Sequence, residues 1–158
     1  HDVTRAASIL TEPKHLPLLY GMLFGMPGIP SIYYGSEWGA TGEKAPGSDA
    51  ALRPAFDEPI ENDLFSLIQK LTLLRKKNPV LCHGEYRQVY LTNEQFIFER
   101  RYEGQRMLLA FNAAAEAHVA HFNAEAGMAV DLVSGQKVDF GGGLDMEPHS
   151  FLFLDMEK

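Results

Sequence analysis

The chain has 158 residues, is 46% hydrophobic and 11% aromatic, and carries a formal net charge of −7. That composition suits one ordinary domain or two small ones and excludes a disordered tail. With no clustered Lys or Arg it also excludes nucleic acid as a partner, and no apolar run reaches the roughly 20 residues that cross a bilayer. The single cysteine, Cys82, leaves no internal disulfide and suits a reducing compartment, so a cytoplasmic location is expected.

The chain opens His1-Asp2-Val3-Thr4-Arg5. An acceptor-only carboxylate, a ring nitrogen that donates, and a guanidinium one helical turn on can together grip vicinal sugar hydroxyls. Alone, the His-Asp pair is a weak signal, equally compatible with a frayed terminus or a cloning remnant. A helix follows over about 14–26, entered through Thr11 and Pro13, with Pro17 tolerated near its first turn. Leu16, Leu19, Tyr20, Leu23 and Phe24 recur at helical spacing, and Leu18 and Met22 make the helix apolar almost all round.

Ile29 to Tyr34, closed by Gly35, reads as a short, fully buried strand. Tyr33 and Tyr34 would then alternate, so at most one faces a cleft. A Gly-, Pro- and charge-rich loop runs from about Ser36 to Pro59, a length that usually signals function in a compact domain. Trp38, Tyr33, Tyr34 and Phe56 are platforms on which a pyranose ring can stack. Asn62 is a fair N-cap for a helix carrying Leu64, Leu67, Ile68, Leu71 and Leu74, which Asn78-Pro79 stops.

From about Val80 the pattern changes to short strands: 86–91, 95–102, 106–112, 117–122, 128–132, 137–140 and 150–155. Phe96, Phe98, Phe111, Phe151 and Phe153 sit where a core needs them, leaving no exposed aromatic row. His15, His83, His118, His121 and His149 have no metal-ligand spacing. The first half, with one strand and no partner for it, points to part of a larger α/β unit, for which a (β/α)8 TIM barrel is the natural host. The second half points to an antiparallel sandwich or barrel. The boundary is placed between 1–79 and 80–158.

Two stretches carry a family resemblance. His1-Asp2, followed about two dozen residues later by Gly28-Ile29-Pro30-Ser31-Ile32-Tyr33-Tyr34-Gly35-Ser36-Glu37, resembles the last two signature regions of the α-amylase family of glycoside hydrolases. The Ser-Glu-Trp-Gly continuation looks closest to the maltodextrin glucosidases, cyclomaltodextrinases and neopullulanases. The resemblance implies the end of barrel strand seven through helix eight, then the antiparallel Greek-key β-sandwich that follows the barrel. It implies a retaining glycosidase acting on α-1,4-linked maltodextrins, in which Asp2 matches the carboxylate that stabilises the transition state.

By the same resemblance His1, Glu37, Trp38, Asp49 and Arg53 bind substrate; without it, Asp49 and Arg53 are a solvated i,i+4 ion pair. No residue matches the nucleophile or the general acid, so a chain of this sequence is expected to be inactive alone. No cofactor is implied, and no site is identified for the calcium some members hold. Exposed apolar surface is expected around Leu18, Leu19, Met22, Phe24 and Ile32, driving self-association or binding of an upstream barrel portion. The other readings are a non-catalytic glucan-binding module and a structural amylase-like partner.

Overall fold

In the computed structural model, which describes residues 2–156, helices come first and strands follow. The helices are α1 (Ala6–Ile9), α2 (His15–Gly25), α3 (Asp63–Lys77) and α4 (Pro79–His83). The strands are β1 (Glu85–Leu91), β2 (Gln95–Tyr102), β3 (Gln105–Asn112), β4 (His118–Ala120), β5 (Met128–Asp131), β6 (Lys137–Asp139), β7 (Leu144–Met146) and β8 (Ser150–Met156). Six form one sheet in the order β1-β2-β3-β8-β5-β6, while β4 and β7 pair separately. Each pairing of these strands is antiparallel. This is the antiparallel sandwich expected of the second half.

The central strands are buried on both faces, so they read as near-continuous apolar runs instead of alternating ones. On one face Phe98, Met107, Leu109, Phe111 and Phe153 pack beneath Tyr20 and Phe24 of α2, Ile68 and Leu71 of α3, and Val80 and Leu81 of α4. On the other, Ile97, Leu108, Ala110 and Leu154 meet Ala120 of β4 and Leu144 and Met146 of β7. Adjacent residues such as Leu108 and Leu109 thus serve two different cores, as the strand's period of two requires.

Two buried guanidiniums bolt α2 to its neighbours. Arg75, 6% exposed, donates to the carbonyls of Phe24, Met26 and Gly28, and Arg100, 1% exposed, donates to those of Gly25 and Gly84. The last carbonyls of a helix have no partner within it. Cations placed there satisfy these acceptors and suit the negative end of the dipole.

Several expectations are corrected. Residues 29–34 form no strand, and Ile29 is 94% exposed. A strand exists only where another runs beside it, and no described segment pairs with this one, so no barrel strand is seen. Leu18 and Phe24, expected at the surface, are buried, Phe24 because the sheet of the second half covers that side of α2. Leu19 stays exposed, while Met22 and Ile32 are half-buried against the same core. Pro79 does not lead into a strand: it occupies the first turn of α4, where its missing N–H costs nothing. Cys82, which its residue type suggests as a buried or interdomain thiol, is exposed, its thiol donating to the Arg75 carbonyl at 3.4 Å. No described helix is long and apolar enough to cross a membrane.

Candidate functional site

The face that gathers the sequence-predicted residues is built where the start of the chain meets two segments of the long loop. Residues 4–8 lie along residues 42–44: Arg5 N–H donates to the Gly42 carbonyl at 2.9 Å, Gly42 N–H to Ser8 Oγ at 2.9 Å, and Lys44 N–H to Thr4 Oγ1 at 2.9 Å. Gly42 permits this closeness, since a Cβ there would overlap the Ala51 carbonyl. The third segment is a 3-10 turn at Ser36–Trp38, which the left-handed Gly35 (φ 83°) and Gly39 (φ 81°) enter and leave.

Arg53 Nη2 is the centre of the face. It donates to Asp2 Oδ1 at 2.9 Å and to Asp49 Oδ2 at 3.2 Å, joining carboxylates separated by 47 positions. Lys44 Nζ pairs with the other oxygen of Asp49. The Lys44 hydrogen bond, with help from the charges of Lys44 and Arg53, holds the Asp49 carboxyl below the usual range. All of these groups reach solvent, Asp2 most of all at 67%. Two carboxylates and two cations at an open surface can exchange internal ion pairs for hydroxyl hydrogen bonds with little penalty, because pairs so exposed contribute little stability.

Trp38 and Phe56 meet edge-on at 5.2 Å between ring centroids, with Tyr34 6.0 Å from Phe56. Asn62, whose Oδ1 caps α3 by accepting from Phe65 N–H, donates its amide to the Trp38 carbonyl at 3.0 Å. Trp38 Nε1 is buried and finds no acceptor among the described residues. Glu37 turns another way. It lines an apolar cavity of about 730 Å3 with Ile32, Tyr34 and the α3 residues Phe65 and Ile68, and its buried Oε2 has no protein partner among the described residues.

The structure therefore brings Asp2, Asp49 and Arg53 together, sets Trp38 in the adjoining turn, and sends Glu37 toward α3. His1 lies outside the described residues. Arg5, read from sequence as a third sugar-gripping group, is 5% exposed and faces the interior. Tyr33 and Tyr34 do not alternate: off a strand, both rings lie beside Arg5, at 5.0 and 5.4 Å from its guanidinium carbon, and 4.6 Å from each other. Burial and the neighbouring Tyr34 raise the Tyr33 pKa. Lys44 was not foreseen, and a lone Lys in a charged loop carries no sequence signal that would have found it. Among the described residues no three His, Cys, Asp or Glu side chains are placed to hold a metal ion.

No protein-family model matches the chain. It is 27% identical over 144 residues to the cyclomaltodextrin glucanotransferase of Geobacillus stearothermophilus, an alignment covering 91% of this chain and 19% of that protein. It is 29% identical over 158 residues to the cyclomaltodextrinase of Thermoanaerobacter pseudethanolicus, covering 98% of this chain and 27% of that protein. The chain thus spans well under a third of the length of these relatives. Among solved structures, an Anoxybacillus α-amylase superposes with a TM-score of 0.85 at 24% identity, over 100% of this chain and 37% of the other. Ttha1563 from Thermus thermophilus superposes at 0.74 with 27% identity, over 91% of this chain and 31% of that one. By these similarities the chain is like a C-terminal region of glycoside hydrolases of the α-amylase family.

Proposed function

We propose that this chain supplies part of the sugar-gripping side of a retaining glycosidase acting on α-1,4-linked maltodextrins. The observation that carries the reading is the convergence of Asp2, Asp49 and Arg53 on one exposed face from distant parts of the sequence. Relatives whose names specify cyclic maltodextrins support a glucan as the ligand.

In this reading Asp2 accepts hydrogen bonds from ring hydroxyls. Those bonds tighten as the sugar flattens toward an oxocarbenium ion, so Asp2 favours the transition state over the ground state. Arg53 holds the Asp2 carboxylate in place and, with Asp49, takes the hydroxyls of the adjoining sugar. His1 donates beside Asp2 and Trp38 offers a ring face, whereas Glu37, turned toward α3, takes no sugar contact on this face.

The two carboxyl groups that make and break the bond in a retaining enzyme stand about 5 Å apart. They are assigned to no residue of this chain, which is therefore inactive by itself. Residues 1–79 are read as the end of strand seven through helix eight of a (β/α)8 barrel, and 80–158 as the β-sandwich beside it.

Incubation of the purified 158-residue chain with maltotriose and with a cyclodextrin tests the assignment. No glucose or maltose should appear, while maltotriose should bind. Turnover that persists through repurification would overturn it.

A further inference from the structure

We infer that Arg5 is a positioning residue for the Asp2–Asp49–Arg53 face, a role that rests on reading this face as sugar-binding. Its Nε donates to the Leu52 carbonyl at 3.1 Å, and its Nη1 to the Tyr34 carbonyl at 2.9 Å and to Ser36 Oγ at 3.5 Å. One planar group thus touches the segment just before Arg53 and the turn that presents Trp38. Its own backbone, three residues after Asp2, bonds to Gly42.

Neither loop belongs to the sheet or to a long helix. Their relative placement therefore depends on cross-links such as these. Among the described residues Arg5 forms no ion pair and its Nη2 finds no acceptor, so its buried charge rests on the uncharged acceptors of Nε and Nη1 and on the faces of Tyr33 and Tyr34. A fork of fixed N–H directions suits this task, and a lysine ammonium, which is a point charge, cannot reproduce it.

Trp38 is the chain's single tryptophan and lies two residues from Ser36, so its emission reports on this turn. Arg5→Ala and Arg5→Lys should keep the far-ultraviolet circular dichroism of the sheet and helices while shifting Trp38 emission to the red. Maltotriose affinity should fall about tenfold or more, as expected for losing hydrogen bonds to a charged group. Added methylguanidinium should restore both signals in Arg5→Ala, and methylammonium should restore neither.

Unchanged Trp38 emission in both variants, or no recovery with methylguanidinium, would overturn the role. Should Arg5→Ala fail to fold, Arg5→Lys decides: native dichroism with shifted emission supports the role, and native dichroism with unshifted emission refutes it. If the unsubstituted chain binds no maltotriose, the sugar-binding reading falls, and the sugar-free Trp38 emission still decides whether Arg5 sets the turn.

Discussion

Glu99 shows how a single residue can tie a surface together. Its side chain is 1% exposed and receives hydrogen bonds from Arg87, Arg101 and Arg106 across the first three strands. Burial works to raise its pKa, but the three guanidiniums outweigh that and hold the carboxyl at about 2, below its ordinary 4.5. A depressed folded-state pKa gives stability that is complete above 4.5 and fades as the pH falls toward 2. Replacing Glu99 with Gln should cost about 2–3 kcal/mol at neutral pH, toward the lower end for a broken buried pair because Arg87 and Arg101 can turn to water. In urea unfolding, the gap between variant and parent should shrink as the pH drops through that window. A gap that stays constant would mean Glu99 is not held as a carboxylate.

Residue-scale legibility was uneven, for a physical reason. Asp49 and Arg53 are four positions apart, and a short spacing shows in sequence. Their union with Asp2 depends on a path closed by Gly42 and Arg5, which no local pattern encodes. Arg5 itself was misread for the same reason: burial is decided by segments 29 and 47 positions away.

Among the elements, α2 is the most demanding. Gly25 lies where a methyl group would overlap the Leu109 side chain and come within 3.4 Å of Phe98. The helix sits so close to the sheet that Arg100 reaches the Gly25 carbonyl at 2.7 Å. Alanine is the better helix former by about 1 kcal/mol, yet overpacking a filled core costs about 1–3 kcal/mol. Gly25→Ala should therefore destabilise the chain by up to about 2 kcal/mol in chemical denaturation. A variant more stable than its parent would mean that α2 does not rest on β3 as described.

Periodicity made α2, α3 and the long strands β2, β3 and β8 readable to within a residue or two, because each sets one or two faces against a core. β1, which has no buried residue, was readable from its strand-forming residues and the turn that follows it. Three elements escaped. The four-residue α1 and the three-residue β7 are too short to show a period, and α4 begins at a proline read as a stop. The strand expected at 29–34 failed differently. Its apolar, Gly-bounded run is strand-like, but strand formation needs a neighbour, and among the described residues it has none.

At the scale of the whole molecule, helices and sheet share one core: Phe24, Leu71 and Leu81 close over Phe98, Leu109 and Phe153. The surface expected to be bare around Phe24 is consumed in that closure. The candidate face of Asp2, Asp49 and Arg53 stands on loops at its margin, open to solvent and held by hydrogen bonds more than by packing. A rigid core carrying polar loops is a usual arrangement for recognition.

The most direct test is a calorimetric titration of the 158-residue chain with maltotriose, repeated on Arg53→Ala and Asp2→Asn. Binding by the parent chain, weakened about tenfold or more in both variants as bonds to charged groups are lost, is the predicted result. No binding by the parent, or equal binding by all three, would contradict the assignment of this face to glucan recognition.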